Sequence, residues 1–212
     1  MKSNEETILL EGPAGTIETV IDGPNAPRGI ALVCHPHPLF GGTNTNKVAH
    51  MLARTFVQLG NAALRPNFRG VGGSAGTHAD GRGEAVDMLA VLDAARQTYG
   101  DLPVVLAGFS FGAYVQTRVA QALAAAGQPA QRLVLVGTAA GFVEGARQYD
   151  VQAVAADTLV IHGAVDTTVP LANVLAWAEP LDLPVVVVPG ADHFFHRRLH
   201  VIRDIVTRAW RH

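Results

Sequence analysis

Residues 104–116 read VVLAGFSFGAYVQ, and the role given to Ser110 inside them decides what kind of molecule this is. Val104 to Phe109 is an unbroken apolar run, the pattern of a strand buried on both faces. Val115, Val119 and Leu123 then recur at four-residue spacing, the mark of a helix face, with Gly127 and Pro129 as stop signals. A hydroxyl therefore sits at a strand-to-helix turn, with Gly108 and Gly112 two places either side. A nucleophile elbow requires this. The turn is strained, it lifts the serine above the sheet edge, and its flanking residues pass so close to neighbouring backbone that a Cβ would clash. A serine that only capped the helix would need neither glycine. A second G-x-S-x-G, Gly72 to Gly76 around Ser74, runs on into GTHADGRG, which is loop rather than helix, so Ser74 is expected to be a loop residue.

Working outward, EETILLEG and TIETVIDG are short β-like runs joined by the turn residues Gly12-Pro13-Ala14-Gly15 and read as a hairpin. GIALVCHP (29–36), NAALRPNF (61–68), RLVLVGT (132–138), TLVIHG (158–163) and PVVVVPG (184–190) read as further strands. Helical spacing marks Val48 to Leu59, Val86 to Tyr99, Pro170 to Ala178 and Leu199 to Ala209. A hairpin followed by alternating strands and helices predicts an α/β fold: a mostly parallel sheet of about eight strands with helices on both faces. With 212 residues, 49% of them hydrophobic and 16% charged, the chain fits one domain spanning 1–212. The net charge of −2 argues against an electrostatic binder of nucleic acid or membrane. Cys34 is the single cysteine, so no intrachain disulfide is possible, and it is expected to be a small buried apolar residue. The N-terminal MKSNEETILLEG lacks a signal-peptide apolar stretch, and no run reaches the ~18 apolar residues of a membrane helix, which predicts a cytoplasmic protein.

A serine hydroxyl needs a base within hydrogen-bond reach and a third group to orient that base. In an open parallel sheet these lie just past the C-terminal ends of later strands. TLVIHG is followed by AVDTTVP, offering Asp166, and PVVVVPG by ADHFF, offering His193, in the chain order Ser, Asp, His. Asp182 and Asp192 are rivals to Asp166. Asp182 precedes the last strand and falls at the wrong end of the sheet, while Asp192 is adjacent to His193 and reads as a loop-turning residue.

With HPHPLFGG, NFRGVGGSAG, GFSFGA, GAVDTTVP and GADHFF in this order from Cys34 to Phe195, the chain resembles the α/β-hydrolases. Within them it is most similar to the short bacterial serine hydrolases without a cap domain, the dienelactone hydrolase and carboxylesterase-like group. The resemblance implies a three-layer sandwich and a catalytic triad of Ser110, Asp166 and His193. It implies an oxyanion hole from the backbone N–H groups of Phe111 and of Leu39, with Phe40 next in line for the second donor. A serine nucleophile disfavours the epoxide hydrolases and haloalkane dehalogenases of this fold, which use aspartate. The expected activity is cleavage of small soluble carboxylic esters through an acyl-enzyme. Thioesterase, acyltransferase or short-peptide hydrolase chemistry uses the same triad, and a non-catalytic binding protein is the competing class. The partner is then a small-molecule acyl substrate, with no cofactor. Phe40, Phe111, Phe194 and Phe195 are candidate apolar walls of the cleft.

Other motifs carry less. His35 and His37, and His196 and His200 at i, i+4 on an expected helix, have zinc-like spacing, but no carboxylate or cysteine completes a ligand set and no metal is expected. His162 is expected to be structural. NFRGVGGSAG is no dinucleotide loop, because Ala75 stands where G-x-G-x-x-G needs its last glycine. Arg69 in that loop is a candidate structural or anion-binding residue. The interval from Ala139 to Asp157, where this fold inserts a lid, has room for one short helix in GFVEGARQYDVQAVAA and for no large cap.

Overall fold

The computed structural model describes residues 5–143 and 147–210. The apolar runs pair into one eight-stranded sheet of β1 (Glu6–Gly12), β2 (Gly15–Asp22), β3 (Ile30–Cys34), β4 (Ala62–Pro66), β5 (Val104–Phe109), β6 (Arg132–Val136), β9 (Leu159–Gly163) and β10 (Val185–Val188). Their spatial order is β1-β2-β4-β3-β5-β6-β9-β10. The hairpin β1–β2 and the β2–β4 pairing are antiparallel, and every pairing from β4 to β10 is parallel.

Period-two alternation sends each central strand's side chains to two cores. Ile30, Leu32 and Cys34 face one side with Leu106 and Leu135, under α2 (Arg82–Tyr99), α3 (Phe111–Ala125) and α4 (Leu171–Ala178). Ala31, Val33, Val105, Phe109 and Val134 face the other, under α1 (Lys47–Gln58) and α5 (Leu199–Ala209). Burial on both faces is what makes these strands continuous apolar runs rather than alternating ones.

The sheet turns its winding direction at β3, which lies between β4 and β5. Loops leaving the carboxyl ends of β3 and β5 therefore diverge and open a crevice, where ligands bind in such sheets. Among the described residues of 141–156, the short helix for which the sequence has room does not form. A two-stranded antiparallel hairpin, β7 (Gly141–Val143) and β8 (Arg147–Tyr149), takes its place, with residues 144–146 of that stretch outside the described residues. Among the described residues no separate cap domain covers the sheet edge.

Candidate active site

Ser110 follows β5 directly and has φ 57° and ψ −118°, a left-handed conformation that costs a non-glycine residue about 1–3 kcal/mol. The flanking glycines explain how the turn closes. A Cβ on Gly108 would run into the backbone of Gly112 and Ala113, and one on Gly112 into the carbonyls of Cys34 and His35. The helix start is thus pressed against both its own strand and the end of β3. The Ser110 side chain makes no capping bond to α3, so the hydroxyl is left to face elsewhere.

It faces His193. His193 Nε2 lies 3.0 Å from Ser110 Oγ, and His193 Nδ1 lies 2.7 Å from Asp166 Oδ2. All three residues are buried. Asp166 Oδ1 accepts the backbone N–H groups of Thr168 (2.9 Å) and Val169 (2.8 Å), which fixes the carboxylate plane. Because Asp166 can only accept, His193 carries its proton on Nδ1 and offers a lone pair on Nε2 to the serine. The imidazole is held from the sides by Phe109, with ring centres 4.9 Å apart, and by Phe194 at 5.2 Å, edge-on. The sequence rivals stand apart. Asp192 pairs with His196 at 2.6 Å, and Asp182 ends a short 3-10 turn before β10, at the opposite end of the sheet.

The loop after β3 revises one expectation. Pro38–Phe40 form a 3-10 turn in which the Leu39 N–H points to His37 Nδ1 at 3.3 Å. The Phe40 N–H goes to the His37 carbonyl at 3.1 Å. Neither amide is left for a ligand, and the Leu39 side chain is exposed and outside the cleft. Leu39 is therefore displaced as the second donor. Among the described residues, the backbone N–H groups of His37 and Phe111 make no hydrogen bond, and His37 lines the cleft. Proline at 38 forces the tight turn one residue after His37, and that geometry is not visible in residue type alone.

The cleft has a volume of about 310 Å³, with Ser110 and His193 in its wall beside His37, Phe40, Arg147 and Phe194. Phe40 and Phe194 line the cleft. Phe195 does not: at φ 51° its ring turns the other way and is fully buried in the core beneath α1 and α5. Phe111 lies against His37 and Tyr114 in a neighbouring pocket. Arg147 carries no sequence signal, since it lies on one of two three-residue strands too short for periodicity.

His35 and His162 serve the frame. His35 is fully buried, its Nε2 accepting the Phe68 N–H (3.0 Å) and its Nδ1 donating to the Pro36 carbonyl (2.7 Å). Burial, against a smaller opposing effect of that carbonyl, lowers its pKa to about 4. Burial likewise lowers His37 to about 4, with help from the positive fields of His78 and Arg147. His162 bonds the Val169 carbonyl at 3.0 Å and backs Asp166. His196 lies before α5 begins, so it and His200 do not share a helix as expected. Among the described residues no three His, Cys, Asp or Glu side chains are grouped to hold a metal ion. Cys34 is buried, and burial raises its thiol pKa far above the usual range. Ser74 is a loop residue, its hydroxyl donating to the Asn67 carbonyl (2.8 Å) and accepting the Glu18 N–H (3.0 Å). Arg69 is structural, clamped by both oxygens of the buried Asp87 at 2.6 and 2.9 Å. No helix among the described residues is long and apolar enough to cross a membrane.

Comparison with known proteins agrees with this architecture. Residues 33–182 match the model of the alpha/beta hydrolase fold family. A solved alpha/beta serine hydrolase without lid from Xanthomonas campestris is 36% identical, with TM-score 0.86, covering 100% of this chain and 95% of that one. An alpha-beta serine hydrolase homologue from Coxiella burnetii is also 36% identical, with TM-score 0.82 and 99% of each chain covered. An uncharacterized protein of Rickettsia prowazekii is 46% identical over 112 residues, which are 51% of this chain and 46% of that protein, so the match spans about half of that curated relative. The serine hydrolase fold supports hydrolase activity. The chain belongs to the α/β-hydrolase fold family, among its serine hydrolases without a lid.

Proposed function

We propose that this chain is a serine esterase that cleaves small carboxylic esters through an acyl-enzyme on Ser110. The observation that carries the reading is the relay Asp166 Oδ2 to His193 Nδ1 at 2.7 Å and His193 Nε2 to Ser110 Oγ at 3.0 Å, at the mouth of a cleft. An ester carbonyl enters against Ser110. His193 Nε2 removes the hydroxyl proton as Oγ attacks, and Asp166 stabilises the imidazolium that forms and holds its tautomer. The N–H groups of Phe111 and His37 receive the oxyanion, the first at the N-terminus of α3, where the helix dipole adds to it. Each such donor is commonly worth ~3–4 kcal/mol of barrier. His193 then gives its proton to the leaving alcohol. Water then attacks the acyl carbon while the same nitrogen takes its proton, and His193 returns that proton to Ser110 Oγ as the Oγ–acyl bond breaks and the acid leaves.

A cleft of about 310 Å³ without a lid suits small acyl groups. Phe40 and Phe194 are its apolar walls, both open to solvent at 67% and 47% exposure, so they can contact a ligand without rearrangement. The test is acyl trapping. After mixing with p-nitrophenyl acetate and acid quench, the acetyl group is found by mass on the Ser110 peptide and is missing in Ser110→Ala. Unchanged turnover by folded Ser110→Ala refutes the reading.

A further inference from the structure

The two oxyanion donors, the N–H groups of His37 and Phe111, belong to separate segments, the loop after β3 and the first turn of α3. Phe111 is fixed by the elbow, where the helix start is pressed against β3 and its own strand. His37 sits in a loop, and the aim of its N–H depends on how that loop is braced. One side chain that the triad does not use touches both. The His78 ring centre lies 4.8 Å from that of His37 and 5.2 Å from that of Phe111, and the His37 and Phe111 rings are 4.7 Å apart. The three rings close a triangle. His78 is no part of the Ser110 cleft wall: with the His37 and Phe111 side chains it lines an adjoining pocket of about 180 Å³.

His78 is itself held in place. Its side chain is only 13% exposed. Its Nδ1 lies 2.9 Å from Oε1 of the fully buried Glu84, in contact though not aligned as a hydrogen bond. Glu84 accepts the N–H groups of Ala79 (2.9 Å) and Gly81 (2.8 Å), which pins the backbone just after His78 to the first turn of α2. A Cβ on Gly81 would run into the Tyr114 ring, so this turn lies flush against α3. Asp80 is 3.4 Å from His78 Nε2, but its side chain is 95% exposed, and a pair so open to water holds little.

We propose that His78 is a positioning residue for the oxyanion hole: its ring, wedged against the rings of His37 and Phe111, keeps the two backbone donors at the separation a developing oxyanion needs. The proposal rests on the esterase reading above. A donor works only within about 0.5 Å and 10–20° of its productive position, and side chains locked by packing supply that precision. The bonds of the triad do not involve His78. Loss of its ring therefore acts on the transition state rather than on ground-state binding, and so on kcat rather than KM.

The experiment measures kcat and KM for p-nitrophenyl acetate, and the Ki of 1,1,1-trifluoro-2-hexanone, in wild type, His78→Ala, His78→Asn and His78→Phe, with urea denaturation to establish folding. Ser110 Oγ adds to the ketone carbon, the C=O π pair becomes an oxyanion, and the serine proton passes to His193 Nε2, so Ki reads the oxyanion hole without a leaving group. Removing an oxyanion donor outright costs about 10²–10³ in kcat, and a donor only loosened is expected to cost about tenfold. In the ringless Ala and Asn variants kcat should fall by that factor and Ki rise by the same factor, with KM within about threefold of wild type. His78→Phe, which restores a ring, should bring kcat and Ki back to within about threefold of wild type. Folded ringless variants with unchanged kcat and Ki, a loss through KM alone, or a loss that folded His78→Phe does not restore overturns the proposal. If His78→Phe does not fold, the ringless variants decide: parallel changes in kcat and Ki support the proposal, and an unchanged Ki overturns it. A merely structural His78 would lower urea stability and move neither constant. Fluorophosphonate labelling of wild type separates the two readings. A folded wild-type protein that neither labels nor cleaves the ester fails as an esterase, whereas an active wild type with unaltered ringless variants fails this inference alone.

Discussion

Replacing Asp166 by Asn tests the relay with almost no change of shape. Asp166 Oδ1 receives two backbone N–H groups, from Thr168 and Val169, and these donors cannot reverse. The amide oxygen of Asn must therefore take that position, which sends its NH₂ group to where Oδ2 faced His193 Nδ1 at 2.7 Å. His193 can satisfy that donor only by moving its own proton from Nδ1 to Nε2. The nitrogen 3.0 Å from Ser110 Oγ then carries a hydrogen and cannot accept the serine proton. The carboxylate charge is lost as well: at 2.7 Å and an effective dielectric of about 20, it attracts an imidazolium by about 6 kcal/mol. That matches a loss of roughly 10⁴ in kcat, the scale seen when a triad aspartate is neutralised, at ~1.4 kcal/mol per decade. The fold should survive, since both backbone bonds to Oδ1 are kept. The assay is kcat for p-nitrophenyl acetate and the rate of fluorophosphonate labelling, with urea denaturation as the control for folding. A folded Asp166→Asn protein within tenfold of wild type in both rates would refute the tautomer argument.

Three further outcomes follow from packing and burial. Ser74→Ala removes a hydroxyl shared by the Asn67 carbonyl and the Glu18 N–H. It should lower unfolding stability by about 1–3 kcal/mol while labelling at Ser110 proceeds at its wild-type rate, and loss of labelling in folded protein would return Ser74 to the chemistry. Phe195→Ala should cost about 3–5 kcal/mol in urea denaturation because its ring is core, whereas Phe194→Ala should chiefly raise KM; the reverse pattern would contradict the cleft as drawn. His35 has its folded pKa lowered from 6.5 to about 4, so between those values the unfolded chain binds the extra proton and stability falls as pH falls. The loss from this one group is about 3 kcal/mol between pH 6.5 and 4, and His35→Gln should flatten that part of the stability curve; an unchanged curve would contradict a neutral buried His35.

The parts legible in the sequence were those where one local rule decides. Continuous apolar runs such as Ile30–Cys34 mark strands buried on both faces, and the glycines around Ser110 mark a turn that excludes Cβ atoms. Order along the chain then brought Asp166 and His193 to the ends of the right strands. The parts that were not legible depend on the direction of a bond rather than the type of a residue. Phe194 and Phe195 are identical neighbours, and a positive φ at the second sends one ring to the cleft and the other to the core. Leu39 and His37 differ in which way an amide points around a proline-led turn. The β7–β8 hairpin is too short for periodicity to reveal, so Arg147 gave no signal until the fold set it beside Phe40.

Whether Ser110 is a reactive nucleophile is read from the intact mass of the protein after exposure to a fluorophosphonate. One adduct per chain is expected, mapping to the peptide that holds Ser110, and none on Ser110→Ala. A folded wild-type protein that stays unmodified across pH 6 to 9, or an adduct that persists on Ser110→Ala, would contradict it.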